Sequence, residues 1–205
     1  MFITLEGSEG TGKSTQAARL AAYLIQAGYP ALLTREPGGT PISEQIRAVI
    51  SDLKNTDMQK RTEILLFQAS RAQLVEQVIR PHLAQGGLVV CDRYADSTLA
   101  YQGYGYQLFD LETLRPLIQF ATGGLTPDLT LLLDLEVEEG LRRRAKGGEW
   151  NRLDAYELGF YQRVRQGYLE MARSEAQRWV VVDATPGLDE VEQALRKIVL
   201  ERLAG

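Results

Sequence analysis

A chain of 205 residues, 44% hydrophobic and 24% charged, has the length and composition for one sizeable folded core. Its formal charge of -4 argues against a nucleic-acid surface, because binding a phosphate backbone needs a basic face to displace counterions. A single cysteine excludes an internal disulfide, and no apolar run approaches bilayer-spanning length. The chain opens directly into a strand pattern without a basic, apolar leader, so the expectation is a reducing cytoplasm, with no membrane and no nucleic-acid partner.

Taken in order, the first apolar run is "FITLE", followed by "GSEGTGKSTQ" and a helical stretch, "QAARLAAYLIQAG", which Gly28 is placed to end in a left-handed cap. The strand "ALLTR" precedes a long helical region in which Pro81, within "QVIRPHLAQGG", predicts a kink or restart. "GLVVCD" is the next strand. After further helix come "DLTLLLDL", a charged helical stretch, "RWVVVD" and "LDEVEQALRKIVLERL", the last introduced by turn chemistry in "TPGLDEV". Strands apolar on both faces, alternating with helices, predict a doubly wound α/β fold with a parallel sheet. There is no internal repeat and no long linker, so residues 1–205 read as a single domain.

Ligands of such sheets collect beyond the carboxyl ends of the strands. Those ends read Glu6-Gly7, Arg35-Glu36, Asp92-Arg93, Asp134 and Asp183-Ala184-Thr185. The stretch from Gly7 to Ser14 has the spacing of a phosphate-binding loop between a strand and a helix. Gly7, Ser8, Glu9, Gly10, Thr11, Gly12, Lys13, Ser14 and Thr15 are therefore candidate ATP-binding residues. The glycines let backbone N–H groups face the phosphates, Lys13 neutralises them, and Ser14 can ligate magnesium. Asp92 is the candidate second metal ligand, with Asp134 as its competitor. Cys91 reads as a core residue and His82 as a solvated helix position.

Arginines occupy special places. Arg35 and Arg93 leave strand ends, Arg71 lies in "LLFQASRAQ", and "LRRRAKGGEWNR" concentrates Arg142, Arg143, Arg144, Lys146 and Arg152. Surface arginines usually solvate a helix face. A phosphoryl transfer between two anions, however, needs fixed positive charge around the acceptor and the migrating group.

The segments "FITLEGSEGTGKSTQ", "TREPGGTPISEQIR", "LLFQASRAQLV", "IRPHLAQGGLVVCDRYADSTLAYQG", "PDLTLLLD" and "RLDAYELGFYQRVRQGYLE" together resemble the thymidylate kinase family. The resemblance implies a five-stranded sheet, a homodimer, a lid at about 140–154, and transfer of the γ-phosphoryl of ATP to dTMP with Mg²⁺. It further implies that Phe67 stacks on thymine, that Arg71 donates to a base carbonyl and that Arg35 and Arg93 grip the 5′-phosphate. Glu9 would approach the sugar 3′-hydroxyl, Ser97 and Gln102 would line the base pocket, and Tyr101 would pack where ribose carries its 2′-hydroxyl. Lys13, Arg93, Arg142, Arg143 and Arg144 would be catalytic, the lid arginines supplying charge that "SEGT" lacks. Two positions depart from the family pattern: Asn151 stands where Asp is frequent, and Tyr106 where Arg is frequent. The competing readings are a deoxynucleoside kinase acting on a 5′-hydroxyl and an ATP-dependent switch or binding module.

Overall fold

The structure is a computed structural model and describes residues 1–108, 110–147 and 156–204. Strand β1 (Phe2–Glu6) leads to helix α1 (Lys13–Gln26), then β2 (Ala31–Arg35), α2 (Pro41–Ser51) and α3 (Lys60–Leu74). A π-helical turn at Val75–Ile79 joins α3 to α4 (Arg80–Ala84), and β3 (Leu88–Asp92) follows. Next come α5 (Ala95–Thr98), a second π-helical stretch at Leu99–Gly105, and α6 (Leu111–Thr122). The chain continues through β4 (Leu129–Asp134), α7 (Val137–Lys146), α8 (Leu158–Ser174), β5 (Trp179–Asp183) and α9 (Leu188–Ala204). The strands make a five-stranded parallel sheet in the order β2-β3-β1-β4-β5, the doubly wound arrangement that the alternation predicts.

Burial on both faces holds for the inner strands, and every residue of β1 is buried. The edge strands β2 and β5 are half-exposed, with Leu33 and Val181 reaching water. The two-residue period of β1 divides the core. Ile3 and Leu5 pack with Leu20 and Leu24 of α1 and Leu195 and Val199 of α9. Phe2 faces the other layer, against Leu74, Val75 and Ile79, and Thr4 bonds Thr130 there at 3.0 Å. Glu6 is in phase with Phe2 and Thr4, so it too is delivered into that second layer, where it is buried.

Local chemistry sets the boundaries. Pro81 has no N–H to continue the ladder, and the helix widens into the π turn just before it and restarts at Arg80. Gly28 adopts φ 88°, and α1 closes with bonds from Gly28 N to Ile25 O and Tyr29 N to Leu24 O, both 3.0 Å.

Neighbouring strands β1 and β3 send the chain to opposite sides of the sheet, β1 toward β2 and β3 toward β4. Their carboxyl ends therefore open a crevice that both following loops enter.

A Cβ at Gly28 would meet nothing within 4 Å, so its constraint is the backbone alone. Gly28→Ala is expected to destabilise the fold by about 1 kcal/mol. The denaturation midpoint should fall while its slope and the kinetic constants hold. An unchanged midpoint would mean that the left-handed cap contributes nothing.

Candidate active site

At the crevice lies a cavity of about 590 Å³. Its floor is the phosphate loop, and its walls come from the segments after β2 and β3, from α2 and α3, and from α7. Glu9, Gly10, Gly12, Lys13, Ser14 and Thr15 line it directly. Gly7, Ser8 and Thr11 are buried beneath and hold the loop's shape: Ser8 O accepts from Thr11 Oγ1 at 3.2 Å and from Lys13 Nζ at 2.6 Å. Helix α1 begins behind Gly12 with no side-chain cap, so its first N–H groups are left for an anion. Burial, reinforced by nearby Arg93, pushes the Lys13 amine down to about 8.

The two candidate metal carboxylates differ sharply. Asp134 is held by Arg165 through bonds of 2.7 and 3.0 Å. Asp92 accepts the Ser14 hydroxyl on Oδ2 at 2.5 Å, while its buried Oδ1 has no hydrogen-bond partner among the described residues. A hydroxyl and an under-used carboxylate at the edge of a phosphate site suit a hard cation that takes its remaining ligands from phosphate and water. Among the described residues no group of three or more His, Cys, Asp and Glu forms a self-sufficient metal cage.

Arg93 stands at the centre. Its backbone has φ 70°, a left-handed conformation sparsely populated by residues other than glycine, and its side chain is only 17% exposed. Nη2 donates to Glu9 Oε1 and to Tyr101 Oη, each at 2.9 Å, and Nη1 donates to Gly7 O at 3.0 Å. The guanidinium also lies 4.9 Å from the centre of the Tyr101 ring. Burial would raise the Glu9 carboxyl, but Arg93, Lys13, the Tyr101 hydroxyl and Arg144 together hold it below the usual carboxylate range.

Arg35, at the end of β2, lines the cavity beside Arg93 but is paired with Glu44 at 3.0 and 3.1 Å. Arg47, which the sequence reading passed over, joins them and donates to Pro37 O at 2.8 Å. The signal was present. Arg47 lies four residues after Ser43 and three before Ile50, the two buried positions of α2, and so belongs to its inward face.

Phe67 lines the cavity from α3, half-buried and outside the apolar clusters of the core, which favours a ligand platform over core packing. Tyr101 serves both purposes: it packs partly against the core and faces the cavity. The π-helical stretch Leu99–Gly105 presents Tyr101 and Gln102 here, and Ser97 lies just before it. Arg71 also lines the cavity, yet its five N–H donors are all engaged: Nε and Nη2 with Glu36, Nη1 with Gln68 and Thr98, and Nη2 with Tyr94 O. It can address a base only by exchanging one of these partners. Tyr106 reaches the cavity wall with its hydroxyl on buried Glu63 and Tyr156, and with the Lys60 ammonium 4.0 Å from its ring centre.

The three adjacent arginines separate. Gly10 and Gly140 bring the phosphate loop and α7 into backbone contact, since a Cβ on Gly140 would fall 2.4 Å from Glu9 O and one on Gly10 1.9 Å from Gly140 O. Positions three and four residues beyond Gly140 share its face. Accordingly Arg143 and Arg144 line the cavity. Arg143 is steadied by Glu139, Ala184 O and Thr185 O. Arg142 falls on another face, 62% exposed and paired with Glu139, away from the cavity where it was expected. Asn151 and Arg152 lie outside the described residues. Cys91 is core, its thiol pushed up by burial, and His82 bonds Pro30 O away from the site.

A family model described as thymidylate kinase matches residues 5–195. The chain belongs to the thymidylate kinase family. It is 53% identical to a thymidylate kinase of Herpetosiphon aurantiacus across 90% of this chain and 88% of that one. It is 52% identical to one of Deinococcus radiodurans across 98% of this chain and 97% of that one. The crystal structure of thymidylate kinase from Ehrlichia chaffeensis superposes with a TM-score of 0.80 at 33% identity, covering 97% of this chain and 98% of that one. Family members share the phosphoryl donor ATP, and the Lys13 amine makes a prediction about it. The amine is charged below about 8 and neutral above, so ATP affinity should weaken as pH rises through that value. Near pH 8, calorimetry in buffers of different ionisation enthalpy should record proton uptake on ATP binding, absent in Lys13→Met. Equal uptake in both proteins would place the titrating group elsewhere.

Proposed function

We propose that this chain catalyses transfer of the γ-phosphoryl group of ATP to the 5′-phosphate of dTMP, giving dTDP and ADP, a step of nucleotide biosynthesis. Within the family assignment, one observation carries the reading: Arg93 sits between the phosphate loop and an aromatic-walled recess, where an acceptor that already bears phosphate would meet the donor.

The donor phosphates lie against the loop and the start of α1, with Lys13 turning from Ser8 O toward them. Ser14 and Asp92 would hold Mg²⁺, which would supply charge neutralisation on the donor phosphates. Arg93, with Arg35 and Arg47, holds the acceptor phosphate, which requires Arg35 to loosen from Glu44. Phe67 stacks on thymine, Ser97 and Gln102 wall the base pocket, and Arg71 reaches a base carbonyl by releasing Gln68 or Thr98. Tyr101 closes the space where a 2′-hydroxyl would sit, and Glu9 meets the 3′-hydroxyl. Arg143 and Arg144, on α7 within the segment of about 140–154 read as a lid, of which residues 148–154 lie outside the described residues, supply charge to the migrating group. An acceptor oxygen attacks the γ-phosphorus while the bond to the β-phosphate oxygen breaks, and the bonding pair leaves with ADP. The attacking oxygen is already anionic, so the residues need only place and neutralise; no general base is required.

We read residues 1–205 as one nucleoside monophosphate kinase domain located in the cytoplasm. No helix among the described residues is long and apolar enough to cross a membrane. A homodimer is supported by exposed apolar side chains on three adjoining helices: Ile42 and Val49 on α2, Leu65 on α3, and Leu117 and Phe120 on α6, with Phe120 89% exposed. Phe120→Asp should sediment as a monomer where the unmodified chain sediments as a dimer; a monomer in both cases would remove the proposal.

The activity is tested by ADP release with dTMP, thymidine and other nucleoside monophosphates as acceptors. Turnover should be confined largely to dTMP, and Arg93→Ala should lower it by about 100-fold or more while ATP affinity changes little. Faster turnover with thymidine, or with another monophosphate, would refute the assignment.

A further inference from the structure

Glu6 ends β1 one residue before the phosphate loop and is fully buried. Neither the nucleotide nor the metal reading gives it a task, and it does not line the cavity. Both its oxygens are nevertheless occupied. Oε1 accepts the Tyr94 N–H at 2.8 Å, and Oε2 accepts the Ser97 hydroxyl at 2.7 Å and the Tyr168 hydroxyl at 2.8 Å.

Those two hydroxyls are 2.8 Å apart, and each lies 3.4 Å from Arg93 Nη1. A hydroxyl that gives its proton to a carboxylate turns its lone pairs outward and becomes a better acceptor. The guanidinium thus faces two oxygens already polarised by Glu6, while its other edge is held directly by Glu9. The same carboxylate fixes the backbone as well, because Tyr94 N–H immediately follows the left-handed residue Arg93.

We infer that Glu6 is a positioning residue for Arg93: acting through Ser97, Tyr168 and the Tyr94 amide, it holds the guanidinium at the crevice in the orientation that receives the acceptor phosphate. The inference rests on the reading of Arg93 as the acceptor-phosphate ligand. It explains why a carboxylate is kept in an apolar layer where burial, then nearby Asp96, push it up to about 7 against the pull of Arg93 and the two hydroxyls. Arg71 and Lys13 also lie within its electrostatic reach. An uncoupled buried acid would be replaced by an apolar residue without loss. This one carries the far end of the Arg93 network.

The test is a double-mutant cycle with Glu6→Gln, Tyr168→Phe and the pair together, measuring kcat/KM for dTMP and KM for ATP. Each single variant should lower kcat/KM for dTMP by about 10- to 100-fold, the size of effect seen when a supporting hydrogen bond behind a functional group is removed. The KM for ATP should move less than about twofold, and the pair should lose little more than the worse single variant, because both changes interrupt one relay. Multiplicative losses, equal damage to ATP and dTMP, or unaltered dTMP kinetics would overturn the inference. If Glu6→Gln does not fold, Tyr168→Phe, which deletes one oxygen of the relay, decides alone by the same selective loss or its absence. Failure of the underlying reading is separately visible, since Arg93→Ala would then leave kcat/KM for dTMP unchanged.

Discussion

The site depends on keeping one guanidinium out of bulk water in a fixed orientation. A buried arginine without compensating carboxylates would be unstable where it stands, and a solvated one would be neither oriented nor strongly felt by a phosphate. Here Arg93 takes a left-handed backbone conformation at the end of β3, bonds Glu9, Tyr101 and the Gly7 carbonyl, and faces the hydroxyls of Ser97 and Tyr168. The strain is local, and the partners come from the phosphate loop, α5, the π-helical stretch and α8. Elements far apart in sequence thus converge on one charge.

Around that charge the crevice divides. On one side lie Lys13, the uncapped start of α1, and the Ser14–Asp92 pair. On the other lie Phe67, Tyr101, Gln102 and Tyr106, backed by the engaged guanidinium of Arg71. Helix α7 is pressed onto the loop by the contact of Gly10 with Gly140, and the spacing of a helix then turns Arg143 and Arg144 inward. Residue size governs this arrangement as much as charge, since a methyl group on either glycine would separate the loop from the arginines.

Much of this was legible because it follows from local rules. The phosphate loop is defined by spacing, the sheet by alternation of apolar runs with helical ones, the Gly28 cap by the end of a helical period, and the Pro81 break by a missing donor. Arg35 and Arg93 could be placed at neighbouring strand ends, and β2 and β3 do pair with Arg35 opposite Asp92. What stayed hidden depends on contacts between distant segments. Nothing in "RRR" tells which arginine faces in until Gly140 meets Gly10. Asp92 and Asp134 look alike in sequence and are separated by Arg165, which lies on α8. Glu6 is the plainest case: its position at a strand end was evident, but its role appears only when Tyr168, 162 residues away, is seen to share its proton.

The most direct test of this account is a crystal structure with dTMP bound. The account predicts the 5′-phosphate within hydrogen-bonding distance of Arg93, with the thymine ring on Phe67 and the sugar against Tyr101 and Glu9. A phosphate bound away from Arg93, with the guanidinium still engaged only by the protein, would contradict it.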